Sequence, residues 1–188
     1  KLGPIDRDVQ EKIEDLLFLR DTRNFYQVNY AQNKNMLEHV RRFLAPCLDK
    51  HILDLYCGTG NFSLFLARDG AHITGMESNK LSVSQAKANA ALNSINDCRF
   101  IVTDLDHAEV NNFPQQLDAA LLNPPRTGCS QNLIKALISS APQTIVYVSC
   151  NPATLARDLK ALAGAGYQIE TIQPFDMFPQ TFHIETIT

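Results

Sequence analysis

The residue best placed for covalent chemistry is a cysteine at the end of an apolar run. Val146-Tyr-Val-Ser-Cys-Asn-Pro-Ala-Thr-Leu155 delivers Cys150 immediately before an Asn-Pro stop. Residues 145–148 have the β-branched and aromatic content of a buried parallel strand, which Asn151-Pro152 ends. In an open α/β sheet, ligands gather at the carboxyl ends of the strands, so Cys150 is positioned as a nucleophile facing a crevice. The alternative for an isolated thiol is a small apolar residue at a strand end. Glu185 lies in a second strand-like run, flanked by Ile184 and Ile187. A carboxylate in partly apolar surroundings is expected to have a raised pKa and to serve as a base; the alternative is exposure on an edge strand.

A second group of residues has the chemistry of a nucleotide site. Asp54-x-x-Cys-Gly58-Thr-Gly60 separates a strand from a helix, where glycines let backbone N–H groups approach a ligand at the helix N-terminus. It lacks both a third spaced glycine and the Gly-Lys-Ser/Thr of a phosphate clamp, and a tight turn that serves only packing is the other reading. Glu77 ends the next strand, 19 residues after Gly58, where an acidic side chain accepts from both ribose hydroxyls. Together with Asp104 at the end of the third strand, this favours S-adenosylmethionine over NAD. Asn123-Pro-Pro-Arg126 ends the fourth strand, and its stiff loop leaves the Asn123 amide free to meet a flat heterocycle. Phe25, Tyr26 and Gln27 offer two rings and an amide that could stack on a base and bond a cofactor, or simply belong to the core.

The elements that must carry these residues alternate. Ile52–Tyr56, Ala71–Met76, 99–102, 118–122 and 144–149 read as strands, and 62–68, 79–93, 130–139 and 153–164 as helices. Such alternation argues for an α/β protein with a mostly parallel sheet and helices on both faces. Strands at 167–173 and 183–188, joined by a short link, are expected to form an antiparallel pair at one edge. Ahead of them, Ile5, Val9, Ile13, Leu16 and Leu17 recur at three- and four-residue intervals, which predicts a lead-in helix over Pro4–Leu19. A second amphipathic helix carries Met36, Leu37, Val40, Phe43 and Leu44 and ends near Pro46. The division expected is 1–45, a helical lead-in with the Phe-x-Gln segment, and 46–188, the catalytic domain.

Bulk composition narrows the class. A chain of 188 residues holds one core. No apolar run approaches the ~20 residues of a membrane span, so no membrane partner is expected. Five cysteines at 47, 57, 98, 129 and 150 show neither C-x-x-C nor a His pair at ligand spacing; no metal is expected, and reduced thiols suit the cytoplasm. A net charge of −3 lacks the cationic excess that phosphate binding leaves, so an RNA substrate would need other parts to hold it, and DNA is not expected. The opening at Lys1, with no initiator Met, suggests that a longer natural chain continues upstream.

Six motifs, in order, carry a resemblance: Phe25-x-Gln-Val-Asn29, Leu53-Asp-Leu-Tyr-Cys-Gly-x-Gly-Asn-Phe62, Gly75-x-Glu77, Asn123-Pro-Pro-Arg126, Ser149-Cys-Asn-Pro-x-Thr-Leu155 and Asp176-Met-Phe-Pro-x-Thr-x-His-x-Glu185. Over residues 24–188 the chain resembles the S-adenosylmethionine-dependent RNA uracil-C5 methyltransferases, which make 5-methyluridine. The resemblance implies a Rossmann-like class I methyltransferase fold with a seven-stranded sheet. It also implies cofactor contacts from Gln27, Tyr56, Asn61, Glu77 and Asp104, with Asn123 beside them, Cys150 as nucleophile and Glu185 as base. Ser149–Asp158 is more similar to the 23S rRNA enzymes than to the tRNA enzyme.

Two departures stand out. Asn123 replaces the Asp of many members and cannot take up a proton, so a binding role is what it retains. The OB-like RNA-binding domain with which the family usually begins, and the upstream four-cysteine iron–sulfur site of many rRNA members, are absent from these residues.

The implied chemistry adds a thiolate to carbon 6 of uracil so that carbon 5 can attack a sulfonium methyl, after the base has been flipped from its stack. At a free pKa near 8.5 only roughly 3% of a thiol is ionised at pH 7, so the site is expected to lower the Cys150 pKa or to pass its proton to a neighbour. The rival readings are the tRNA enzyme, an amine-directed methyltransferase using Asn123-Pro-Pro, and a nucleotide-binding module or NAD-linked enzyme.

Overall fold

Alternate residues of each central strand enter two different cores, which is the signature of a sheet buried on both faces. The computed structural model describes residues 8–188 except Thr22, Val110 and Asn112, with the backbone alone of Asp8 and Val9. Its elements are β1 (Asp8–Ile13), β2 (Leu16–Asp21), α1 (Tyr30–Leu44), β3 (His51–Leu55), α2 (Asn61–Arg68), β4 (His72–Glu77), α3 (Lys80–Leu92), β5 (Cys98–Val102), β6 (Ala119–Leu122), α4 (Gln131–Ser140), β7 (Thr144–Ser149), α5 (Pro152–Gly164), β8 (Gln173–Phe175) and β9 (Glu185–Ile187). Ile52, Ile73, Leu121, Val146, Val148 and Ile187 face one core, shared with α1, α2 and α3. Leu53, Leu55, Met76, Leu122 and Tyr147 face the other, shared with α4 and α5.

Seven strands lie in the order β5-β4-β3-β6-β7-β9-β8. Contacts from β5 through β7 are parallel, and β9 runs antiparallel to both β7 and β8. The expected α/β alternation and the antiparallel edge pair therefore both form. The order changes direction at β3: chain segments wind outward to β4 and β5 on one side and to β6 and β7 on the other. A crevice opens at the carboxyl ends of the strands where the winding reverses.

Local chemistry fixes the helix starts on that edge. Asn79, Ser130 and Asn151 cap α3, α4 and α5 through side-chain oxygens that accept backbone N–H groups, and Pro152 follows Asn151 at the first turn of α5. Gly60 caps α2 in the left-handed region, φ +87°, and a Cβ there would press on the Phe100 ring at 3.3 Å.

Two expectations fail in the described residues. The segment 8–21 is not helical: β1 and β2 form an antiparallel hairpin turning at Glu14-Asp15, with Glu14 at φ +56°; Pro4–Arg7 of the expected helix lie outside the described residues. Leu16, Phe18 and Arg20, at two-residue spacing, are buried side chains of β2, joined by Asp21 at its end. The three-residue step from Ile13 to Leu16 is the turn, not a helical stripe. The open edge of β2 is completed by α3, where Asn93 accepts from Leu17 N (2.8 Å) and donates to Leu17 O (2.7 Å), and Asn89 accepts from Leu19 N (2.8 Å). The strand expected at 167–173 forms only over Gln173–Phe175, because pairing with β9 starts at Gln173↔Ile187. Ile169 and Ile172 remain exposed.

Candidate active site

Glu77, at the end of β4, lies under the Gly58–Gly60 turn. Its Oε2 accepts from Gly58 N (3.3 Å), and its Oε1 accepts from Asn79 N (2.8 Å) and Ser78 Oγ (3.2 Å). Oε2 keeps a lone pair for a further donor. The Gly58 position, φ +54°, has open space where a Cβ would stand, so a ligand can approach the backbone closely there.

The turn is fastened from behind. Asn89, fully buried, donates to Thr59 O (3.1 Å) while accepting from β2, and Arg20 Nη1 donates to Thr59 Oγ1 at 3.4 Å. Arg20 is itself paired with Glu11 at 2.6 Å. Asn61, the first residue of α2, exchanges two amide hydrogen bonds with Asn33 of α1, 2.8 and 3.2 Å. Its side chain is thereby held by α1.

A strap formed by residues 23–29 crosses the carboxyl edge. Ser82 Oγ donates to Asn24 Oδ1 (3.2 Å) at one end, and Asn29 Nδ2 donates to Met177 O (3.3 Å) in the β8–β9 loop at the other. Between these ties lies Gln27, 8% exposed, whose amide has no hydrogen-bond partner among the described residues. That amide is open to a polar ligand, which Gln27 is placed to receive. Asn123, half-buried at the end of β6, likewise has an unpartnered amide among the described residues, while its N–H donates to Leu55 O (3.2 Å).

Tyr56 and Asp104 are arranged differently from what their types suggest. Tyr56 has φ +61°, which turns its ring into the α4–α5 core, with its hydroxyl buried toward Cys129. What it leaves to the crevice side is its backbone. Asp104 is exposed beyond β5, where it caps a short 3-10 turn at Leu105–His107 and pairs with His107 Nδ1 at 2.9 Å. That contact holds the carboxyl below its usual range and raises the imidazole.

On the other half of the edge, the register of β7 and β9 decides the chemistry. Val148 opposes Ile187 and Ser149 opposes Thr186, so the next step places Glu185 opposite Cys150. Tyr147 and Thr188 exchange both backbone bonds, 2.8 and 3.0 Å; the ladder ends at Ser149/Thr186, one residue short of Cys150, and the Glu185 charge is felt at the Cys150 thiol. Val148 and Ile187, each two residues away from this pair, project on the α1 face. Cys150 is half-buried in the tight turn closed by Asn151 N donating to Ser149 Oγ (3.1 Å).

Arg126 is the residue that motif reading did not single out. Its carbonyl accepts from Asn151 Nδ2 (3.0 Å) and Thr154 Oγ1 (3.2 Å), and its guanidinium lies 3.5 Å from His183 Nδ1. Burial and the Glu185 charge push the Cys150 thiol up, and Arg126 opposes them. Burial pushes Glu185 up to about 7, again against Arg126. The expected lowering of the thiol pKa therefore does not occur, and the alternative, transfer of its proton to a neighbour, has a carboxyl directly opposite. The sequence cue for Arg126 was its place at the end of Asn-Pro-Pro.

Beneath this cluster, Asp158 Oδ2 accepts from Cys129 N (2.9 Å) and Tyr147 Oη (2.7 Å), and Arg157 Nη2 donates to the carbonyls of Thr127 and Cys129 (3.0 and 2.9 Å). The loop carrying Arg126 is thus locked to the helix that follows Cys150. The other thiols are poorer nucleophiles: burial raises Cys57 strongly and lifts Cys98 and Cys129 to about 12, and Cys47 is buried between α1 and the start of β3. A cavity of about 650 Å³ at the other end of β7 is lined by Thr144, Ile145, Tyr167 and Gln168 and contains no Cys or His. Among the described residues, no group of three His, Cys, Asp or Glu could hold a metal, and no helix is long and apolar enough to cross a membrane.

Comparison with known proteins gives one consistent answer. The family model described as tRNA (uracil-5-)-methyltransferase matches residues 5–187. An uncharacterized RNA methyltransferase of Halalkalibacterium halodurans is 40% identical over 181 residues, 95% of this chain and 40% of the relative. One from Thermosynechococcus vestitus is 42% identical over 178 residues, 94% of this chain and 39% of the relative. The chain thus spans about two fifths of their length. The crystal structure of Pyrococcus abyssi tRNA (uracil-54, C5)-methyltransferase with S-adenosyl-L-homocysteine superposes with a TM-score of 0.86 and 34% identity, over 96% of this chain and 43% of that one.

Proposed function

Because this chain belongs to the tRNA (uracil-5-)-methyltransferase family, we propose that it is the catalytic part of an S-adenosylmethionine-dependent enzyme that methylates carbon 5 of a uridine in RNA. The observation that carries this reading is the opposition of Cys150 and Glu185 across β7 and β9, with Arg126 beside both. The free amide of Gln27, the Gly58 approach and the spare lone pair of Glu77 suit the cofactor, with Asn61 and Asp104 at the helix start and the base end, Tyr56 through its backbone, and Asn123 facing the substrate ring. When bound, the cofactor supplies an electrophilic methyl group.

In the proposed sequence, Cys150 sulfur adds as a thiolate to carbon 6, and Arg126 stabilises that negative charge. The C5–C6 electron pair becomes an enolate, from which carbon 5 would take the methyl as the methyl–sulfur bond of the sulfonium breaks and leaves a neutral thioether. Glu185, back in its carboxylate form once the proton taken from Cys150 has passed to solvent, then removes the proton left on carbon 5; the electron pair re-forms the double bond and expels Cys150 as thiolate. With a pKa of about 7, Glu185 is a base matched to neutral conditions. A fully solvated carboxylate would be a weaker one.

Ser149–Asp158 favours 23S rRNA as substrate, and the Pyrococcus relative's title names tRNA; methylation of the two transcripts side by side decides between them. Five free thiols fit a reducing compartment such as the cytoplasm. The test of the mechanism is RNA bearing 5-fluorouridine, whose carbon 5 holds no removable proton: a complex that survives denaturation should form with the native chain and be absent with Cys150→Ser. A complex of equal yield with the Ser variant would overturn the assignment.

A further inference from the structure

Phe182 is 90% exposed, yet the loop that presents it is tightly made. Thr181 N and Oγ1 both donate to Phe178 O (3.1 and 2.7 Å), His183 N donates to Thr181 Oγ1 (3.2 Å), and Gln180 occupies the left-handed region at φ +67°. The Phe182 ring lies 4.2 Å from that of His183, centroid to centroid, and Phe178 meets His183 edge-on at 6.1 Å. His183 in turn touches Arg126 at 3.5 Å, and Glu185 follows two residues later. A side chain this exposed stabilises no core, so its ordered presentation beside the reacting groups needs another reason.

We infer that Phe182, backed by His183, is the platform on which the nucleobase next to the target uridine stacks. The inference rests on the proposed function and names how that site holds its RNA. Flipping a uridine out leaves its neighbour without a stacking partner on one face, and an exposed ring at the crevice mouth replaces it. A chain of net charge −3 is poorly equipped to grip phosphates, whereas ring-on-base stacking does not depend on charge. Phe25, 73% exposed, and Val28, 67% exposed, continue the apolar rim on the strap that Asn29 ties to Met177.

The experiment measures the concentration of a 5-fluorouridine RNA needed for half-maximal adduct, in the native chain, Phe182→Ala and Phe182→Trp, with S-adenosylhomocysteine affinity measured in parallel. The Ala variant should need roughly 5- to 150-fold more RNA, reach the same adduct yield at saturation and bind the cofactor product unchanged, while Trp restores the native value. An unshifted Ala variant, a loss that Trp does not restore, or a parallel loss of cofactor affinity overturns the platform and leaves the function standing. No adduct with the native chain overturns both.

Discussion

Two carboxyl groups, Asp54 in β3 and Glu185 in β9, are both pushed up to about 7 by burial, but their neighbourhoods differ. Asp54 is fully buried in β3, with Oδ2 accepting from Ser63 Oγ at 2.5 Å, Oδ1 without a partner among the described residues, and the Glu77 charge adding to the upward push. Glu185 is 7% exposed and has Arg126 opposing its shift. The first is sealed into the frame beside a second carboxylate; the second lies where a guanidinium and a thiol feel its charge. Burial of a carboxyl group therefore does not by itself mark a catalytic residue; the cation and the thiol beside Glu185 are what make it the candidate.

The largest expected effect comes from breaking the reactive member. Glu185→Gln should slow turnover about 10²- to 10⁴-fold while an RNA–Cys150 adduct accumulates on ordinary uridine, visible as a shifted band on a denaturing gel. Native turnover by this variant would remove Glu185 from the mechanism. Asp54→Asn sharpens the contrast from the other side. Since the folded pKa of about 7 lies above the ordinary 3.8, the acid form favours folding: Asp54 contributes its full stability below pH 3.8 and loses it as pH rises to about 7. Relative to the native chain, the variant should be more stable at pH 8, by at most about 4 kcal/mol, with a flatter melting-temperature profile between pH 4 and 7. An unchanged profile would show that Asp54 is already solvated. A smaller effect is expected where hairpin and cofactor turn meet: Asn89→Ala strips partners from Leu19 N and Thr59 O, costing about 2 kcal/mol and weakening cofactor binding several-fold by calorimetry. Undiminished affinity would uncouple the hairpin from the turn.

The βα alternation was readable because parallel strands buried on both faces are continuous apolar runs, and because Asn-Pro and Gly-x-Gly mark where they stop. The hairpin was not, since Ile13, Leu16 and Leu17 mimic helical spacing across a turn and the partners of β2 are two asparagines more than 65 residues away, Asn89 and Asn93. Cys150 and Glu185 were each identifiable by type and local setting. Their opposition was not, because it depends on a register between strands joined by a 35-residue stretch of sequence. Arg126 was hidden for the same reason, its charge being felt only by residues from other segments. Tyr56 could be located but not oriented, since nothing in its neighbours' types announces a left-handed backbone.

The ladder joining β7 to β9 also limits which length changes the chain can absorb. Adding or deleting one residue between Glu185 and Ile187 would shift the phase of the pleat, sending the carboxyl to the α4–α5 side of the sheet and out of reach of the sulfur. The same edit in the exposed stretch 168–171 would pass through backbone that belongs to no ladder, leaving the Cys150 sulfur and the Glu185 carboxyl where they are.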